Sequence, residues 1–185
     1  RASANSGSRS RLSAVNAELE VAILAAGMGT RLARPFPKPL TPLASGQSIL
    51  AQQLANVDKQ LTPVSKQVDD LAAKAGDATV AGRLASDFGV SSDALMAEKA
   101  KYNTGWGDIM IAHTLASNTL TGVTLDEVMA MRTTDAMGWG AIASGLDLKL
   151  GNVVSGVKSE AKVAMGASRA DGKPAKIEVA AVTTT

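Results

Sequence analysis

A chain of 185 residues with 45% hydrophobic and 19% charged residues has the composition of a globular protein, enough to bury about 70% of its unfolded surface in one domain and too little for a large multidomain enzyme. Its formal charge is +2, with no cysteine and a single histidine, His113, which excludes disulfides, thiolate metal sites, thiol nucleophiles and multi-histidine metal sites. No run approaches the ~20 apolar residues of a membrane span. The charge is uneven: residues 1–56 hold six basic residues (Arg1, Arg9, Arg11, Arg31, Arg34, Lys38) against Glu18 and Glu20, whereas the remainder holds 13 against 15, a split that points to two parts of different origin.

Residues 1–20 are rich in Arg, Ser, Ala and Asn. They read as a flexible amino-terminal segment, starting at a processed or trimmed end. Val21 to Leu24 forms a short apolar run that leads into Ala25-Ala26-Gly27-Met28-Gly29-Thr30-Arg31-Leu32, followed by Pro37-Lys38-Pro39-Leu40 and Pro42. A strand that ends in such a glycine-rich turn can aim backbone N–H groups at a phosphate, and Arg31 and Lys38 can neutralise its oxygens. Ile49, Leu50, Leu54 and Val57 then supply a helical apolar stripe. Together these features predict a strand, turn and helix over 21–56.

The segment from Leu24 to Leu40, continued to Asn56, resembles the opening motif of the sugar-phosphate and choline-phosphate nucleotidyltransferases. That resemblance implies a nucleoside triphosphate held by Ala25, Ala26, Gly27, Gly29 and Thr30, with Arg31 and Lys38 stabilising charge at the α-phosphorus by positioning and electrostatics. It also implies Mg²⁺ on an Asp at the end of a later buried strand, within an α/β domain longer than this chain. The sequence shows no such strand. Asp108 stands at a suggestive distance, but the polar residues Lys99 to Thr104 precede it. The segment therefore reads as incomplete, as in a fused or chimeric sequence, and a bound metal or other cofactor is expected only if the nucleotidyltransferase reading holds.

Residues 57–165 read as a helical repeat domain. Thr62-Pro63 has the form of an N-cap and first-turn proline, opening a helix with Val64, Val68, Leu71 and Ala72 that stops at Gly76. From Phe88 the chain repeats itself at an offset of 33 residues: Gly89-Val90-Ser91 with Gly122-Val123-Thr124, and Gly105-Trp106-Gly107 with Gly138-Trp139-Gly140. Each unit predicts a helix, a Gly-Trp-Gly break and a second helix, with Ser91 as N-cap of one unit and Thr124 with Glu127 as a capping box in the other. Ile109, Ala112, Leu115 and Ala116 give a second helix its apolar stripe. Two units predict a small bundle of short helices rather than a solenoid. Trp106 and Trp139 are expected as core wedges and Met96, Met110, Met129, Met131 and Met137 as core fillers, with His113 satisfied or exposed. Such tandem Gly-Trp-Gly repeats resemble those of uncharacterised bacterial proteins, which implies export only weakly and no activity.

The apolar positions Ile142, Ala143, Leu146, Leu148, Val153 and Val154 approximate a helix-turn-helix whose second helix, Asn152 to Ala161, would present Asn152, Ser155, Lys158 and Ser159 to bases. Asp147 replaces its usual turn glycine and Gly156 an apolar packing residue. Residues 166–185, ending Val-Thr-Thr-Thr, read as a flexible tail.

Three functional readings follow. The favoured one is a noncatalytic, mainly α-helical structural or interaction protein, with a protein partner or self-association completing its Ala-, Met- and Val-rich faces. The alternatives are a nucleotidyltransferase or a fragment of one, and a helix-turn-helix nucleic-acid-binding module. The compartment is left open.

Overall fold

A computed structural model of the chain describes residues 48–120, 122–167 and 175–179. The fold is mainly α. Nearly all the described residues fall in one compact unit, Ala51–Ala181. Among these are seven helices: α1 (Ile49–Ala75), α2 (Asp77–Phe88), α3 (Ser92–Tyr102), α4 (Trp106–Ala116), α5 (Leu125–Thr133), α6 (Trp139–Gly145) and α7 (Leu150–Ala164). The strand and turn expected within 21–56 lie outside the described residues.

Helix α1 corrects the sequence reading at Thr62-Pro63 and at residue 57. One 27-residue helix runs through both points, with Pro63 in its interior. Proline removes one backbone donor and costs a helix about 3 kcal/mol in isolation, but Pro63 is exposed, where water can serve the carbonyl that loses its partner. The burial that outweighs this cost is continuous. Val57, Leu61, Val64, Val68 and Ala72 form one buried stripe at helical spacing on both sides of the proline. Thr62 does not cap the helix from outside; its hydroxyl donates to the Asp58 carbonyl within it, at 2.8 Å.

The repeat units form as their caps dictate. Ser91 accepts from the Ala94 N–H to start α3, and Thr124 and Glu127 form both halves of a capping box at α5. Gly105 and Gly138 are the N-caps of α4 and α6, so each tryptophan is the first residue of its helix. Helix α4 is not one-sided. Trp106, Gly107, Thr114, Leu115 and the run Ile109–Ala112 are all buried, because α4 packs against α2, α3, α5 and α7. Helix α7 also packs against α2 and α6.

Residues 175–179, read from sequence as part of a loose tail, are held. The Asn118 side chain accepts from the Ile177 N–H at 2.6 Å and donates to the Ala175 carbonyl at 2.9 Å, as a neighbouring strand would. Leu148 and Val179 form an antiparallel bridge, and the Lys149 N–H donates to the Glu178 carbonyl at 2.8 Å. Ile177 is buried in the space left by Gly156, whose absent Cβ would lie 2.9 Å from its Cγ1. The glycine that spoils the helix-turn-helix pattern is therefore the seat of this strap.

Candidate functional site

The two Gly-Trp-Gly motifs converge on α1. The Asp69 carboxylate accepts from the Gly107 N–H at 3.0 Å, and the Asp58 carboxylate accepts from the Gly140 N–H at 2.9 Å. Each aspartate thus supplies the side-chain acceptor that the glycine N-cap cannot. A Cβ on Gly107 would sit 2.4 Å from the Ser65 Cα, and one on Gly140 would sit 2.3 Å from the Leu54 carbonyl oxygen. Only glycine lets α4 and α6 approach the α1 backbone so closely. The α1 partners come in matched pairs 11 residues apart: Leu54 with Ser65 and Asp58 with Asp69.

The tryptophans are buried as expected, at 1% and 3% exposure, and each lies under a cation from the first helix of its unit. Lys99 Nζ stands 5.5 Å from the Trp106 ring centroid and the Arg132 guanidinium 5.1 Å from that of Trp139. Trp106 also donates to Asp77 at 2.7 Å, while Lys99 pairs with the other Asp77 oxygen at 2.6 Å. These two partners, Lys99 first, hold the Asp77 carboxyl below its usual range. Asp69 moves the other way: burial pushes its carboxyl up, opposed by the Gly107 N–H and reinforced by the nearby Asp108.

The remaining residues singled out from sequence fall into structural positions. Asp108 accepts from Ser65 Oγ at 3.3 Å and Thr104 Oγ1 at 3.0 Å; the other unit replaces this polar pair with Ala141 and Leu54. His113 is satisfied, its Nε2 2.6 Å from Glu98 Oε2 and its ring stacked on Phe88 at 4.9 Å. Met110 and Met129 are fully buried, Met131 and Met137 pack against the core, and Met96 is exposed. Ala25, Ala26, Gly27, Gly29, Thr30, Arg31 and Lys38 lie outside the described residues. Among the described residues, no group of acidic, histidine or cysteine side chains is arranged to hold a metal, and no helix is long and apolar enough to cross a membrane.

Of the proposed base-reading residues on α7, Lys158 belongs to a different feature. An open groove of about 540 Å³ runs between one stripe of α1 (Asn56, Lys59, Gln60, Pro63, Val64, Gln67) and one stripe of α7 with its C-cap (Lys158, Ala161, Lys162 and the cap Met165). Pro63, Val64, Ala161 and Met165 make the groove apolar, and Met165 is 46% exposed. Lys59, Lys158 and Lys162 stand on its walls, and no carboxylate lines it. Lys66, Lys99, Lys101 and Lys149 each form an ion pair. The three groove lysines form none among the described residues; Lys158 only donates to Gln60, at 3.2 Å. Sequence reasoning missed this groove because its walls lie about a hundred residues apart. No family model, curated protein or solved structure matches the chain.

Proposed function

We propose that the chain is a noncatalytic helical interaction protein that holds a protein partner in the α1–α7 groove. One observation carries the reading: an open apolar floor coincides with three lysines that have no carboxylate partner among the described residues. The polar groups at the repeat motifs support it, since Asp58, Asp69, Asp77 and Asp108 are engaged in holding helices to one another.

The absence of cysteine makes the test direct. A photocrosslinker on Gln67→Cys faces the groove, whereas one on Ala97→Cys stands on the outer surface of α3. The expected result is a partner captured from the first position and not the second, which re-forms a binary complex with the purified chain. Loss of that complex in Lys158→Glu/Lys162→Glu supports the reading, and an unchanged complex overturns it.

A further inference from the structure

The shape and charge of the groove specify its occupant more closely. Its α1 wall, Asn56 to Gln67, spans about 16 Å, or three helical turns. Both walls are single helix stripes, so a third helix laid along the floor would pack as helices do, its apolar stripe on Val64, Ala161 and Met165. The two flanks of such a helix would meet Lys59 on one wall and Lys158 and Lys162, one turn apart, on the other. Cations on both sides of an apolar floor complement a stripe bordered on both sides by carboxylates. Among the described residues, the exposed acids of α5 are already engaged: Asp126 is paired with Lys101 and Glu127 closes the α5 capping box. Residues 1–47 carry a net positive charge.

We infer that the groove receives an amphipathic helix of a different protein, with an apolar stripe flanked on both sides by Asp or Glu. The inference rests on the interaction reading above and adds the chemistry of the partner.

The test uses the whole chain and two fluorescent helical peptides of about 14 residues. Both share a leucine stripe; one is flanked by Glu and the other by Lys. Anisotropy titration is expected to show binding of the Glu peptide in the ~10 µM range, at least about tenfold tighter than the Lys peptide. Binding of the Glu peptide should weaken as salt rises from about 50 to about 500 mM. In Lys158→Glu/Lys162→Glu the preference should reverse, an outcome that a merely misfolded variant cannot give.

Equal affinity for the two peptides, or no reversal in the variant, overturns the inference. So does a chain that binds anionic phospholipid vesicles and neither peptide, or one that sediments as a dimer whose formation the two substitutions abolish. A crosslinked, re-formed partner alongside failed peptides leaves the interaction reading standing and removes the acidic helix alone.

Discussion

Replacing Gly140 by alanine tests the docking of the second repeat on α1. The added Cβ would lie 2.3 Å from the Leu54 carbonyl oxygen and 2.9 and 3.0 Å from its carbonyl carbon and Cα, against an ordinary carbon contact of about 3.5–4.0 Å. All three atoms are backbone, so no rotamer change relieves the overlap; α6 must retreat from α1 by about 1 Å. Overpacking of this kind costs about 1–3 kcal/mol. The same retreat stretches the bond between the Gly140 N–H and Asp58, and a hydrogen bond to a charged group contributes about 1.5–3 kcal/mol. Alanine recovers up to about 1 kcal/mol in helix propensity. The expected net loss is about 3 kcal/mol, which at an m-value near 2 kcal/mol/M lowers the urea midpoint by about 1.5 M. Gly151→Ala is the control, since nothing stands within 4 Å of its added Cβ; it should be neutral or mildly stabilising. If the two variants unfold within about 0.5 kcal/mol of each other by urea titration, the close approach of α6 to α1 is refuted.

Asp69 gives a pH test. Because burial raises its folded-state pKa above the ordinary 3.8, its contribution is full below that value and declines as pH rises through the raised one. Asn keeps an acceptor for the Gly107 N–H without the charge. Asp69→Asn should therefore gain on the parent protein as pH rises from below 3.8 through the raised value in urea titrations, and a difference independent of pH would contradict it. Asn118→Ala should release residues 175–179 without global unfolding, read as lost hydrogen-exchange protection at Ile177; unchanged protection there would show that the asparagine does not hold the strap. Trp106→Phe removes the indole donor to Asp77 and is expected to lower stability by about 1–2 kcal/mol in thermal or urea melts, with no loss pointing to an idle hydrogen bond. Mg²⁺ with each nucleoside triphosphate should leave the thermal melt unchanged. A rise of several degrees, abolished in Arg31→Ala or Lys38→Ala, would move the assignment to nucleotide chemistry.

Local features were legible in the sequence because local chemistry fixes them. Ser91, Thr124 and Glu127 announced the helix starts they form, and the 33-residue echo placed both tryptophans in equivalent buried sites. Thr62-Pro63 misled because it has the form of a helix start, while the longer signal, an apolar stripe unbroken from Val57 to Ala72, shows that the helix continues. Burial outweighed the local propensity. Composition alone gives residues 166–185 the look of a loose tail, whereas one side chain, Asn118, holds residues 175–177 from nearly sixty residues away. The groove depends on two helices that bring Lys59, Lys158 and Lys162 to one space from about a hundred residues apart, which no local pattern encodes.

The pairing of Asp58 and Asp69 with the two repeats sets a gear ratio. Each 33-residue unit engages one 11-residue step of α1, about 16 Å along the axis and within about 20° of three whole turns. The repeats and their rail are consequently bound to change together. A third unit would require a rail longer by one step, and one residue inserted between the two aspartates would swing them about 100° out of phase, leaving one unit without its acceptor whichever way the helix turned. Expansion by this chain's kind of duplication is thus permitted only in whole steps.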